Sequence, residues 1–259
     1  MASESSLIPS PATLQGRAQF NEDDLLNRIF AGLPDGVCLE VGAFDGYTGS
    51  ATYAFEQRGW TAVLVEPLPE MASAIQTRRK GPFFNVAAGS ADGDITFSRA
   101  RHDPAVSSIA SNPRQNELYT LRGEAIEQIT VPQLTLDTVL IRAGVARVDF
   151  ATLDVEGHEL AVLQGWDLRR WRPRVIILED NSRGLDALVP AYLAVRGYVC
   201  FHRTGVNDWY AQRADHLVTL SARLRVTAWR SWRKLRHGLK IVAPSGLKSF
   251  ARRHGWSDN

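Results

Sequence analysis

Short apolar runs alternate with amphipathic stretches along most of this chain. Val37 to Val41, Trp60 to Val65, Phe83 to Ala88, Val148 to Asp154, Arg174 to Leu178, Tyr198 to His202 and His216 to Leu220 each read as a strand. Asn21 stands before Glu22, Asp23 and Asp24, acids that suit the positive end of a helix, and Leu25, Leu26, Ile29 and Phe30 follow at helical spacing. Further helices are predicted from about Ser50 to Arg58, from Pro67 to about Arg79, from Thr135 as a cap with Leu136, Val139 and Leu140 turned inward, from near Glu156, and from about Leu185 to Arg196. Near-continuous apolar strands joined by helices imply an α/β fold with a doubly wound, mainly parallel seven-stranded sheet covered on both faces.

Two stretches break this rhythm. Asp92-Gly93 lies between extended segments and suggests a hairpin turn. Residues 99–130 show no sustained period, and a loop of that length is expected to help cover a substrate, with His102 a residue that can reach the site. The pattern divides the chain into a flexible leader over 1–19, a catalytic domain over 20–220 and a basic amphipathic helical tail over 221–259.

The chain has 259 residues, 44% of them apolar, enough for a sizeable core, and its start has no basic and apolar regions of a secretory signal. Cys38 and Cys200, its two cysteines, fall in predicted buried strands, which excludes a disulfide scaffold and fits a cytoplasmic setting. The net charge of +2 hides an asymmetry: residues 221–259 hold ten Lys or Arg and one acid, +9 in all, which leaves −7 on the rest.

The chemistry concentrates where the first strand ends. Residues 37–49 read VCLEVGAFDGYTG, an acid-x-Gly-x-x-x-Gly pattern in which Gly42 and Gly46 are four apart. The dinucleotide fingerprint needs glycines two apart, so a dehydrogenase is disfavoured. Instead the pattern resembles the first motif of class I S-adenosylmethionine-dependent methyltransferases. That resemblance puts Glu40 near the methionine amino group, with Gly42 letting the backbone approach the ligand. Glu66 closes the second strand, and an acid there accepts hydrogen bonds from ribose hydroxyls in doubly wound folds.

Several blocks in order, LEVGAFDGYTGS, GWTAVLVEPLPE, NVAAGSADGDITF, TLDTVL and LDVEGHELAVLQG, resemble the FkbM family of methyltransferases over roughly residues 20–220. One departure is Phe44, where many members carry Asn. The resemblance implies the Rossmann-like class I methyltransferase fold, S-adenosyl-L-methionine as cofactor, and O-methylation of a hydroxyl on a sugar, glycolipid or glycosylated natural product. It assigns the cofactor to Glu40, Gly42, Ala43, Phe44, Asp45, Gly46, Glu66, Pro67, Asn85, Ala87 and Asp154.

A sugar hydroxyl is a weak nucleophile until a base or a metal takes charge of its proton. Asp154 is the first candidate beside the reacting hydroxyl, Glu156 the second, and His158 a third as general base. In the class I strand order, Asp154 neighbours Asp180 and Asn181, a hard oxygen set suited to Mg²⁺, although an Asp-Asn pair equally suits the capping of a turn.

In the tail, Leu220, Leu224, Trp232, Leu235, Leu239 and Val242 recur at helical spacing among basic residues, and Leu247 to Trp256 offers a second short basic helix. Three partners remain open for it: an anionic membrane at the inner face, the protein itself, or a second subunit in a homo-oligomer. Nucleic acid is disfavoured, since no RNA-binding motif accompanies the charge. Against the methyltransferase stand a non-catalytic adaptor with the same fold and a methyltransferase acting on RNA or protein.

Overall fold

A computed structural model describes residues 18–109 and 113–242. Residues 1–17 of the leader expected over 1–19 and the short basic helix expected over 247–256 lie outside them, while Ala18 is buried and bridges Gly49. Eleven strands are described: β1 Val37–Val41, β2 Thr61–Val65, β3 Phe83–Phe84, β4 Ala87–Ala88, β5 Gly93–Ala100, β6 Ser108–Ile109, β7 Ile126–Leu134, β8 Phe150–Leu153, β9 Val175–Glu179, β10 Tyr198–Thr204 and β11 Asn207–Gln212. The helices are α1 Glu22–Ile29, α2 Tyr53–Glu56, α3 Ala72–Arg78, α4 Pro113–Arg122, α5 Leu136–Arg142, α6 Glu159–Gln164, α7 Leu168–Trp171, α8 Leu188–Val195 and α9 Leu220–Val242.

Seven strands form the main sheet in the order β10-β11-β9-β8-β1-β2-β3. From β3 to β9 neighbours run parallel, while β11 runs antiparallel to both β9 and β10, so the sheet is mixed rather than parallel throughout. The strand period of two turns Leu39 and Val41 to one face and Cys38 to the other. The first face packs under α5, α6 and α8; Leu136, Val139 and Leu140 are fully buried there, and the Thr135 hydroxyl accepts the N–H of Thr138 as the expected cap. The second face packs against α1 through Phe30, Phe55, Trp60 and Phe150, whose ring centroids lie 4.8–5.7 Å apart in tilted and edge-on pairs.

Four expectations need correction. The last strand is β11, not His216 to Leu220. Thr204 pairs with Asn207 across Gly205-Val206, and Gly205 has φ 53°, so a two-residue hairpin returns the chain and buries Trp209 and Tyr210. Asp92-Gly93 is not a hairpin turn: β4 and β5 do not pair with each other but flank β7, and the Asp92 carboxylate accepts the Thr135 N–H at 2.7 Å. Nor is 99–130 one long loop. It supplies the end of β5, β6, α4 and the start of β7, and β4-β7-β5-β6 form a second sheet. The stretch read as one strand, Phe83 to Ala88, is shared out, β3 to the main sheet and β4 to the second.

Candidate functional site

A cavity of about 990 Å³ opens at the carboxyl ends of β1, β2, β8 and β9, the edge where ligands bind in doubly wound sheets. Val41 to Phe44, Val65 to Leu68, Leu153 to Glu159 and Leu178 to Arg183 line it from those four strand ends.

The loop after β1 depends on glycine. Gly42 has φ 82°, and a Cβ there would sit 1.9 Å from the carbonyl oxygen of Asp154. Phe44 also adopts the left-handed region, φ 48°, where Asn is more at home than a bulky aromatic, so the departure from the family pattern keeps the backbone shape at some cost in strain. The loop's donors are turned inward. The N–H groups of Gly42 and Ala43 bind the carbonyl of Val65 at 3.0 and 3.1 Å, that of Phe44 binds Glu66 at 2.8 Å, that of Gly46 binds Ala43, and those of Tyr47 and Thr48 bind the Asp45 carboxylate. A pyrophosphate would find few of these donors free, which separates this loop from an anion-binding nest.

Glu40 is likewise engaged. Its carboxylate accepts the hydroxyls of Ser50 (2.7 Å) and Thr52 (2.5 Å), the N–H of Ala51 (3.2 Å) and the Arg79 guanidinium (3.2 Å). Arg79, with no exposed side-chain surface, bridges Glu40 to Glu56 at 2.8 Å and also donates to the Gly46 carbonyl at 2.9 Å. This buried network draws the 50–52 segment toward Glu40, and the helix expected from Ser50 begins only at Tyr53.

Glu66 ends β2 with one oxygen on the Phe44 N–H and the other on the Leu68 N–H, 2.8 and 2.9 Å. A carboxylate offers about four acceptor positions, so capacity remains for hydroxyls of a ligand. Burial pushes its carboxyl up to about 7 against those two bonds.

Beyond the loop lies a cluster of acids. Asp154, Glu156 and Glu179 bring one oxygen each within 4.8 Å of one another. Desolvation at the cavity wall, then neighbouring negative charge, raises Glu179 and also Asp154, which keeps an exposed surface; the two share a hydrogen bond. Glu156 is pushed up to about 8 by burial and by the charges of Asp154 and Glu159. Its backbone stands at φ 51°, a strained position inside the site. Glu159 is raised to about 7 by burial and holds the turn by accepting the Gly157 N–H at 2.9 Å. The half-buried His158 lines the cavity, and burial lowers its pKa, so the ring is neutral at neutral pH.

Asp180 stands differently from its expected metal role. Its oxygens accept Ser182 Oγ, the Gly184 N–H at 2.6 Å and Arg203 at 2.9 Å, so the side chain holds the loop after β9 to β10. Asn181 turns its amide to Glu179 (2.5 Å) and Glu156 (3.3 Å). Among the described residues, the acids whose oxygens converge closely enough to hold a divalent cation are Asp154, Glu156 and Glu179.

Of the residues assigned to a cofactor, Glu40, Gly42, Ala43, Phe44, Glu66, Pro67, Ala87 and Asp154 line the cavity. Asp45, Gly46 and Asn85 do not: Asp45 folds the loop and pairs with Arg78, Gly46 sits on Arg79, and Asn85 donates to the Glu66 carbonyl at 2.8 Å. His102 is exposed and paired with Glu124, away from the cavity wall. Sequence reasoning missed an apolar wall made by Leu68, Phe97 and Ile109 with Ala87, which the second sheet supplies. The alternation Ile95, Phe97 and Ile129, Val131 was its available signal. It also missed Thr152, whose cavity-lining hydroxyl is buried without a partner among the described residues.

No curated protein sequence matches the chain. Among solved structures, a candidate RNA methyltransferase from Pyrococcus horikoshii, PH1948, is similar at a TM-score of 0.41 and 11% identity, over 83% of this chain and 99% of that one. The methyltransferase FkbM domain matches residues 40–203, which run from the acid of the glycine loop through all four site-bearing strand ends to β10 and make up more than half of the chain. The protein with this acid-lined cavity belongs to the FkbM methyltransferase family.

Proposed function

We propose that the enzyme moves a methyl group from S-adenosylmethionine to a hydroxyl, on a sugar-bearing acceptor. The observation that carries this reading is the pairing of an acid-lined cavity with a loop whose donors are spent. Such a site disfavours phosphates and suits a ligand carrying sulfonium and ammonium charge. The residues fit the donor in three respects. Glu66 keeps acceptor capacity for ribose hydroxyls, the Leu68, Ala87 and Phe97 wall suits a flat base, and the Thr152 hydroxyl has no partner among the described residues. When bound, the donor supplies a methyl group on a positively charged sulfur.

The chain's own part is to hold the acceptor oxygen in line with that carbon and to take its proton. Glu156, raised to about 8, is matched to this task near neutral to mildly alkaline pH, with the hydrogen-bonded Asp154 and Glu179 pair beside it as proton reservoir. His158 is the other neutral base on the wall. A divalent cation, where bound, would take oxygens of Asp154, Glu156 and Glu179 and would lower the pKa of an acceptor hydroxyl.

Calorimetric titration with S-adenosylhomocysteine tests the reading. The parent should bind in the micromolar range, and Glu66→Ala should bind at least tenfold more weakly, about 1.5–3 kcal/mol for hydrogen bonds to a charged group. Absence of binding by a folded parent overturns the proposal and favours the non-catalytic adaptor. A screen of hydroxyl acceptors, with and without Mg²⁺, then addresses the O-methylation.

A further inference from the structure

The helix α9 has two faces of opposite character, and among the described residues only one is used by the rest of the domain. Its inner face docks on the domain beside β10. Ala222 is buried there, Trp229 packs over Gly184, and the Arg203 guanidinium lies 4.4 Å from the Trp229 ring centre. Arg230 pairs with the buried Asp208 and reaches the Tyr210 hydroxyl at 3.4 Å; all three line the cavity. Arg233 donates to the Arg183 carbonyl at 3.4 Å.

Opposite this docked face run Leu220, Leu224 and Leu235, with Trp232 on their flank. These side chains are 69, 58, 62 and 49% exposed. Of the expected apolar stripe, these four residues point away from the domain; the side chains of Leu239 and Val242 lie outside the described ones. Arg223 and Lys234 border it on one side, Arg225 and Arg236 on the other. The whole helix carries seven Lys or Arg and no acid.

We infer that α9 is an in-plane anchor which lays this stripe into the surface of an anionic lipid bilayer. The choice of occupant follows from charge. A second copy of α9 on the same stripe would bring two acid-free, cationic helices together, and like charges oppose that pairing. An anionic lipid surface instead meets the basic borders with headgroups and the leucines with acyl chains, and Trp232 sits at the depth where indoles gather. Phosphates of a nucleic acid would satisfy the borders but leave the leucines in water. No described helix is long and apolar enough to cross a membrane, so the contact lies along the surface. Because α9 is also a wall of the cavity, the anchor sets the acid-lined site beside the lipid surface.

Flotation of the full chain with vesicles tests this. Vesicles of phosphatidylglycerol and phosphatidylcholine should carry the protein, and pure phosphatidylcholine should not. About 1 M salt, which shortens the screening length to roughly 3 Å, should release it. Leu224→Gln with Leu235→Gln should weaken binding at least about tenfold, since two leucines leave the acyl region. Circular dichroism and S-adenosylhomocysteine titration of the same samples should match the parent; this reports the fold and the cofactor reading separately from lipid binding. The inference is overturned by failure to bind the anionic vesicles, by equal binding of the double variant, or by a parent dimer that the double variant dissolves. Binding to RNA in place of vesicles overturns it too.

Discussion

Phe44 shows how a single residue carries a constraint of the backbone. Its φ of 48° belongs to a conformation that costs an ordinary side chain about 1–2 kcal/mol, and Asn less. Replacing the ring also removes apolar contact, so the informative comparison is between two variants that both lose it. Phe44→Asn should be more stable than Phe44→Ala by about 1 kcal/mol in denaturant unfolding, since only Asn relieves the left-handed strain. Equal stabilities would mean that the loop shifts to another conformation. Gly42 was legible as a required glycine because the motif is local. That its Cβ would strike the carbonyl of Asp154, 112 residues later, was not, since no sequence pattern encodes that approach. That Asp180 would pair with Arg203 was hidden for the same kind of reason. Its partner Arg203 lies on another strand, and the pairing exists only once β11 has turned back between β9 and β10.

At the scale of elements, the Arg79 network ties β1, the glycine loop, α2 and the end of α3 together. Removing the guanidinium would leave Glu40 and Glu56 as buried carboxylates without a cation. Arg79→Met should therefore destabilise by about 3–5 kcal/mol, read as a lower denaturant midpoint. A loss under about 1 kcal/mol would show that water enters the network. Strands with long apolar runs and the capped α5 were readable from periodicity, because burial on both faces writes a continuous signal. The second sheet was not. Two of its strands, β4 and β6, are only two residues long, and β7 contains Pro132, which breaks a strand pattern. Its cost to the reading was the apolar wall of the cavity. The short hairpin into β11 was missed although Gly205 marks it, since the polar ends of that strand mask the buried Trp209 and Tyr210.

For the whole molecule, the acids around the cavity set stability against catalysis. Glu66, Glu156 and Glu159 are raised to about 7, 8 and 7 by burial, while in the unfolded chain they ionise in the ordinary carboxylate range. Between those limits the folded protein binds more protons, so the stability they contribute is fully present below about pH 4 and is lost as pH rises through 7 and 8. The melting temperature should fall between about pH 4 and 8, and Glu156→Gln should flatten that fall. A base role for Glu156 demands the opposite of the rate, which should rise through the same range. A melting temperature that climbs across about pH 4 to 8 would remove the buried-acid account. The inward-turned donors of the glycine loop carry a different consequence. Six amides from Gly42 to Thr48 are satisfied by the protein itself, so the loop is preorganised. Ligand capture then draws little on ordering entropy there, and selection among acceptors falls to the walls that α4, the second sheet and α9 provide.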